Sequence, residues 1–208
     1  KITKLNIREL TGTIEHPGGP FWEERLIRPV DIYPEYHAQG VETNWQPIQS
    51  GEGTSTIILY FVEIETDEGI TGLGGPTERV VAALIDMYYR HSLVGMDPLA
   101  TERIWDIMYR SGVHDRKGLP MFAISVIDNA LWDLRGKAMG QPVHALLGGP
   151  TRTELPAYAS MLGYSLEPEK VTARAKEFAG MGYTAQKWFP RWGPSDGKEG
   201  IRKNVALM

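Results

Sequence analysis

The chain has 208 residues, enough for one large domain or two small ones with a sizeable buried core. Its formal net charge is −4 with acidic and basic residues interleaved, which disfavours nucleic acid or an anionic membrane as partner and leaves a small molecule as the expected one. It has no cysteine, which excludes disulfides and thiolate metal sites. No apolar run is long enough to span a bilayer, and the start of the chain lacks a signal-peptide block, so a cytoplasmic protein is predicted.

The first 75 residues are rich in strand and turn signals. Residues 1–14 alternate in polarity as a strand does, whereas residues 15–40 bring four prolines and three glycines together without periodicity and predict a long loop. Two β-rich runs between residues 55 and 74 meet at residues 67–69, Asp-Glu-Gly, which is typical of a hairpin. The region therefore predicts a small antiparallel sheet with one long insertion.

Helical periodicity follows this sheet. Apolar residues recur at helical spacing between residues 80 and 108, and a longer helix is predicted to open at Pro120 and to end near Gly140. One face of that helix carries four apolar residues, Ile124, Ile127, Leu131 and Leu134. The run Gly148-Gly149-Pro150 then makes a compact turn. We interpret it as a boundary between a first domain at residues 1–150 and a second at residues 151–208.

The second domain has a different pattern, in which strands and helices alternate. Residues 155–161 and 184–189 predict strands, while residues 168–181 and those from Gly197 onward predict helices. Such alternation is typical of parallel strands joined by helical crossovers. Two parallel strands cannot form a covered sheet, and the last residues carry no helix stop signal. We therefore expect a truncated or partly ordered domain; the alternative is a naturally short chain whose strands pair with a partner.

Three stretches carry a resemblance to a known family. The segment AISVIDNALWDLRGKAMGQPVHALLGG at residues 123–149 resembles the helix that closes the capping domain of the enolase superfamily, in its mandelate racemase and muconate lactonizing branch. VEIETDEGITGLGG resembles the sheet of that cap, and GYTAQKWFP resembles the second strand of the barrel. The resemblance implies an α+β capping domain at residues 1–150, followed by the first two β/α units of a modified (β/α) TIM-type barrel at residues 151–208.

The resemblance also implies a chemistry. In this superfamily a magnesium ion and basic residues stabilise the enolate that forms when a proton next to a carboxylate is removed. The segment KWFPRWGPSDGKEGIRK resembles the acid-sugar dehydratases, of the rhamnonate type. In those enzymes a later histidine is the base and three carboxylates hold the metal. All of these would lie beyond Met208, so no metal ligand is expected in this chain. The family further implies a homo-oligomer that binds a small carboxylate.

Lys187 is the catalytic candidate. It lies in the middle of an aromatic strand, where a buried strand normally carries no charge, and the C-terminal ends of barrel strands point toward the active site. Many relatives carry a second lysine two residues later, on the same strand face, as a base. Here that position is Phe189, which cannot accept a proton. We therefore interpret Lys187 as an electrostatic partner of the substrate carboxylate; the alternative is a strand-end lysine that extends into solvent.

Two loops of the cap are implied to set substrate specificity. The candidate substrate-binding residues are His16, Trp22, Arg28 and His37, with Arg191 just after the lysine strand. Each could instead be solvated or paired within its own loop. Rhamnonate enzymes place an arginine in the second loop, near residues 45–54, where this chain has Gln49. That difference weakens the prediction of rhamnonate itself as substrate.

The predicted function is a magnesium-dependent dehydratase that eliminates water from an acid sugar and yields a 2-keto-3-deoxy acid. One alternative is a racemase, epimerase or cycloisomerase of the same superfamily, which a later base on the opposite face of the substrate would favour. Another is a non-catalytic member that acts as a binding or structural protein. The absence of a second lysine on the Lys187 strand leaves that alternative open.

Overall fold

The computed structural model describes residues 1–16, 23–24, 27–39, 48–190 and 192–207. For residues 37–39, 48–49 and 194 it describes the backbone alone. Contacts divide the chain into two compact units. The first unit comprises Lys1–Gly12 and Ile57–Thr153, and the second unit comprises Thr13–Thr56 and Glu154–Met208. Neither unit is continuous in sequence.

The described strands form one four-stranded sheet and one parallel pair. They are β1 (Ile2–Glu15), β2 (Ile48–Gly51), β3 (Thr54–Thr66), β4 (Thr71–Thr77), β5 (Ala159–Ser160) and β6 (Gln186–Lys187). In the larger sheet β3 lies between β1 and β2, and β4 also pairs with β3. The β3–β4 pairing is antiparallel and brings Glu65 opposite Thr71, with Gly69 at a φ of 77° in the turn. The predicted hairpin is confirmed.

The described helices include those that were predicted, in the predicted order, together with further short ones. They are α1 (Pro34–Gln39), α2 (Arg79–Leu84), α3 (Arg90–Leu93), α4 (Thr101–Ser111), α5 (Leu119–Met139), α6 (Val143–Leu146), α7 (Pro168–Gly180) and α8 (Gly197–Leu207). A π-helical turn, Ile85–Tyr89, joins α2 to α3. Pro120 lies in the first turn of α5, and Gly140 ends that helix in the left-handed conformation that glycine adopts without steric cost. No helix in the described parts of the chain is both long and apolar enough to cross a membrane.

The core of the first unit lies between its sheet and α5. The four apolar residues predicted to share one face of α5 are all at most 1% exposed. On the sheet side, Gly72 and Gly74 of β4 allow the strand to approach the helix backbone. A Cβ atom on Gly72 would lie 2.1 Å from the carbonyl oxygen of Ala130, and one on Gly74 would lie 2.1 Å from that of Val126. The predicted α+β arrangement is thus confirmed for this unit, and these glycines serve close packing.

The second unit contains the strand and helix alternation predicted after residue 151. β5 and β6 are parallel, with Ala159 opposite Gln186 and Ser160 opposite Lys187. The strands are shorter than predicted. Two bonds, from Ala159 N to Ala185 O and from Met161 N to Lys187 O, both 3.0 Å long, mark the paired stretch. Each strand has one hydrogen-bonded neighbour among the described residues, and each covers two residues of its predicted segment.

The prediction of an irregular loop over residues 15–40 is partly wrong. The structure has a 3₁₀ turn at Pro29–Ile32 and the short helix α1 that starts at Pro34. Proline at the first helical position favours both starts because its φ is already fixed near the helical value. The Asp31 carboxylate also accepts a hydrogen bond from the Arg28 backbone N–H at 2.7 Å. Elements of four to six residues are too short to produce a recognisable period, which is why the pattern missed them.

Candidate functional site

Lys187 is the last residue of β6 and its side chain is exposed. Its Nζ donates a hydrogen bond to the Tyr158 hydroxyl at 3.2 Å. The same nitrogen lies 5.1 Å from the centroid of the Tyr158 ring and 5.1 Å from that of the Phe189 ring. Both distances are within the range in which an ammonium is attracted to the face of an aromatic ring. Two rings and one hydroxyl therefore surround this cation.

The alternation of side chains along β6 sets the direction of Lys187. Adjacent residues of a strand point to opposite faces, so Gln186 and Lys187 lie on different faces of β6. Gln186 Nε2 donates to the Ala175 carbonyl of α7 at 2.8 Å, and Trp188 Nε1 donates to Gln186 Oε1 at 3.1 Å. The second face is thus bound to the crossover helix. Lys187 lies on the face that points away from α7.

Residues 15–40 are called the N-terminal loop here, and its residues 27–32 lie against the segment that follows β6. The 3₁₀ turn at Pro29–Ile32 packs on a second 3₁₀ turn, Pro194–Asp196. Gly193 is so close to this loop that an added Cβ would lie 2.7 Å from Ile27 Cγ2. Arg28 precedes the first turn, and its Nε and Nη2 atoms are buried with no hydrogen-bond partner among the described residues. The loop therefore holds a cationic side chain within the same unit as Lys187.

The structure describes only some of the other predicted substrate-binding residues. His16 Nε2 lies 3.0 Å from the hydroxyl oxygen of Ser55, which is fully buried, so the ring is held beside the β2–β3 turn. The backbone of His37 is part of α1, and its side chain is outside the described atoms. Trp22 and Arg191 lie outside the described residues. Of the predicted set, the structure describes the side chains of Lys187, His16 and Arg28.

Two glutamates that sequence analysis did not single out attach the loop to the residues after β5. Ser165 is 1% exposed; its N–H donates to Glu23 Oε2 at 2.9 Å and its hydroxyl donates to Glu24 Oε1 at 2.6 Å. Arg174 of α7 also donates to Glu23, at 3.2 Å. Its two carboxylate neighbours, Glu177 first and then Glu23, raise the pKa of Arg174. These contacts give residues 23–24 a defined position relative to the β5–α7 segment.

Ser165→Ala is expected to destabilise the protein by about 1–2 kcal/mol, since it removes a buried donor to Glu24 and the acceptor of the Glu167 N–H. The measurement is the urea unfolding midpoint of the full-length protein. Ser125→Ala is the matched control, because that exposed hydroxyl donates to the Met121 carbonyl within its own helix, α5. We expect the control to remain within about 0.5 kcal/mol of the parent. Equal effects of both substitutions would contradict the role assigned to Ser165.

The described residues do not fit a magnesium site. Magnesium prefers several oxygen ligands in octahedral geometry. Within residues 1–16, 23–24, 27–39, 48–190 and 192–207, no three histidine, aspartate or glutamate side chains converge on one point.

The amino-acid sequence is similar to those of proteins whose family is known. Residues 36–148 match the family described as mandelate racemase / muconate lactonizing enzyme, N-terminal domain. The chain is 31% identical over 188 residues to the L-rhamnonate dehydratase of Saccharopolyspora erythraea, which covers 89% of this chain and 43% of that protein. It is 40% identical over 131 residues to the D-galactonate dehydratase of Pectobacterium atrosepticum. That alignment covers 61% of this chain and 34% of that protein. The chain thus spans less than half the length of these two relatives.

Solved structures agree with the sequence matches. L-rhamnonate dehydratase from Gibberella zeae superposes with a TM-score of 0.69 at 31% identity, over 99% of this chain and 47% of that one. A racemase from Streptomyces coelicolor A3(2) with bound magnesium superposes with a TM-score of 0.61 at 30% identity. The superposition covers 72% of this chain and 46% of the racemase chain. The family match covers more than half of the 208 residues and the neighbours share the fold. The chain belongs to the mandelate racemase and muconate lactonizing enzyme family, a branch of the enolase superfamily.

Proposed function

We propose that the protein is an acid-sugar dehydratase that removes the proton next to a carboxylate and then eliminates the 3-hydroxyl. The observation that carries this proposal is the Lys187 ammonium, which lies on the face of β6 away from α7 with Phe189 beside it. Similarity to L-rhamnonate and D-galactonate dehydratases supports it. The residues of the second unit would contribute charge stabilisation and substrate binding.

The reaction places a specific demand on Lys187. When a base takes the proton from C2, negative charge develops on the substrate carboxylate, and a fixed cation lowers the energy of that state. The C3–O bond then breaks, hydroxide leaves as water after it gains a proton, and the enol product tautomerises to a 2-keto-3-deoxy acid. Phe189, two residues after Lys187, has no basic atom, so that position supplies no base. The proton acceptor of this proposal therefore lies elsewhere, and Lys187 acts by charge.

The cofactor proposed is Mg²⁺, with ligands other than the residues that the structure describes. A bound magnesium ion would supply additional charge stabilisation for the enolate. The related racemase with bound magnesium supports this assignment. The described residues do not form such a site, and the role proposed for Lys187 is electrostatic.

The substrate-binding residues proposed are those of the N-terminal loop, with Arg191. In this proposal His16, Trp22, Arg28 and His37 contact or cover the hydroxyl groups of the sugar acid. The contacts of Glu23 and Glu24 with Ser165 support it, because they fix part of this loop against the β5–α7 segment. Gln49 in place of an arginine favours an acid sugar other than rhamnonate.

The domain arrangement belongs to the same proposal. Residues 1–150 would form the cap, and residues 151–208 would form the first two β/α units of a (β/α) barrel. The parallel β5–β6 pair with its crossover helix α7 is the arrangement that such a barrel requires. A homo-oligomer in the cytoplasm completes the proposal, and its oligomeric state rests on the family alone.

A racemase is the second candidate function. The 30% identity to the Streptomyces coelicolor racemase favours it. Racemisation needs proton-transfer groups on both faces of the substrate. Phe189 in the position where relatives carry a second lysine removes one such group from β6. We therefore place the dehydratase first.

The test is a screen of the full-length protein with Mg²⁺ against a panel of aldonic and aldaric acids. The assay detects the 2-keto-3-deoxy product through its semicarbazone absorbance and follows exchange of the C2 proton in D₂O by NMR. Product from one or a few acids establishes the dehydratase and identifies its substrate. Exchange at C2 with inverted configuration and no keto product would establish the racemase instead. Neither signal with any acid would favour a non-catalytic member of the family.

A further inference from the structure

Tyr158 contacts Lys187, and the sequence analysis assigned it no role. It lies one residue before β5, and Lys187 ends the parallel neighbour β6. The register places Ser160 opposite Lys187, so Tyr158 and Ser160 share a face of β5 and that face is the one on which Lys187 projects. The Tyr158 side chain is 52% exposed, so it is accessible to a ligand as well as to the lysine.

The contacts of the Lys187 ammonium have a defined geometry. One of its three N–H groups donates to Tyr158 Oη at 3.2 Å. The rings of Tyr158 and Phe189 each lie 5.1 Å from Nζ. A lysine has a flexible four-carbon stem and loses several rotamers when its head is held in place. A hydroxyl and two ring faces remove much of that freedom before a substrate arrives.

The direction of the hydrogen bond leaves donors for a ligand. Because Nζ donates to Tyr158 Oη, the phenolic proton remains free to donate in another direction. The ammonium keeps two further N–H groups. A hydroxyl that accepts from a cation is also polarised and becomes a better donor. The pair can therefore present several donors to one carboxylate, whereas a lysine alone would present a mobile point charge.

We propose that Tyr158, with Phe189, is a positioning residue for Lys187 that holds the ammonium where it meets the substrate carboxylate. This inference deepens the proposed function and rests on it for the identity of the ligand. It also assigns a role to Phe189: the aromatic ring that replaces a basic residue serves to fix the neighbouring cation. The opposite face of β6 offers no such environment, because Gln186 donates to the Ala175 carbonyl of α7 and accepts from Trp188.

The experiment uses the full-length protein with Tyr158→Phe, Phe189→Leu and a matched control, Tyr183→Phe, whose ring packs near Phe178 in the same unit. Tyr158→Phe is expected to lower kcat roughly tenfold, because it removes a hydrogen bond to a charged group. The control is expected to change kcat by less than about twofold. Undiminished kcat in both Tyr158→Phe and Phe189→Leu would overturn the proposal.

A double-mutant cycle separates positioning from a merely structural role. If Tyr158 acts through Lys187, Tyr158→Phe will cause no further loss of kcat in a Lys187→Met background. The same proportional loss in both backgrounds would overturn the proposal, because Tyr158 would then act independently of the ammonium. The value of KM in each variant shows whether ground-state binding also changes.

A third measurement does not require activity. Limiting acylation with an amine-reactive ester, followed by peptide mass spectrometry, gives the labelling of Lys187 relative to Lys198, an exposed lysine of α8. Tyr158→Leu is expected to raise this ratio severalfold, since it removes both the hydroxyl and one ring from Nζ, while Tyr183→Phe leaves it unchanged. An unchanged ratio in Tyr158→Leu would overturn the proposal. If no acid sugar reacts, the proposed function fails, and this ratio still decides whether Tyr158 holds Lys187.

Discussion

Lys187→Met in the full-length protein is expected to reduce kcat by a factor of about 10²–10³ and to leave the fold intact. A single preorganised charge-stabilising group typically contributes this much, because it acts where charge develops in the transition state. Methionine keeps most of the stem length and removes only the cation. The side chain is exposed in β6, so little packing is lost. The measurement is steady-state kinetics with the acid identified in the substrate screen, together with circular dichroism.

The control for this prediction is Lys198→Met, which removes an exposed lysine of α8 in the same unit. We expect its kcat to remain within about twofold of the parent, because surface charges are largely screened by water and salt. Unchanged turnover in Lys187→Met would show that this lysine merely extends into solvent. A loss of helical signal together with turnover would assign it to folding instead of chemistry.

Gly74→Ala is expected to destabilise the protein by about 3 kcal/mol or more, the second large effect in this chain. A Cβ at this position would lie 2.1 Å from the Val126 carbonyl oxygen of α5, well inside van der Waals contact. The atom it meets belongs to the backbone of a buried helix and cannot rotate away. β4 and α5 must therefore separate, which loses packing along the core. Thermal and urea unfolding of the full-length protein measure the loss.

Gly12→Ala is the matched control, in β1 of the same sheet. An added Cβ there has no heavy atom within 4 Å, and Gly12 is exposed. We expect a change of at most about 0.5 kcal/mol. A similar loss in both variants would mean that glycine content of the sheet, and not the approach of β4 to α5, determines stability.

The success of the sequence predictions differed with the length of each element. α5 has 21 residues, and its four apolar residues on one face are enough to define a helical period and a buried face. Pro120 and Gly140 marked its ends because each restricts or permits a backbone conformation locally. The 3₁₀ turn at Pro29–Ile32 and the helix α1 were missed because one or two turns carry no measurable period.

The candidate site was predicted only in part. Lys187 was recognisable because a charge inside an aromatic strand is unusual, and its neighbour Phe189 was visible two residues later. Tyr158 was not, since it contacts Lys187 from 29 residues away. Glu23 and Ser165 are 142 residues apart, and nothing in either local sequence indicates the other. The substrate-binding roles of Trp22 and Arg191 stay predictions.

The sequence by itself determined the longer helices, the β3–β4 hairpin, the α+β character of the first unit and the identity of the cation on the second parallel strand. Periodicity, proline, glycine and charge placement act over a few residues, so they can be read without a structure. The tertiary structure alone decided that β4 approaches α5 through Gly72 and Gly74, that residues 23–24 attach to Ser165, and that Tyr158 and Phe189 surround Lys187. Apart from the Phe189 contact, these contacts join residues distant along the chain, and they exist only once the backbone has brought their side chains together.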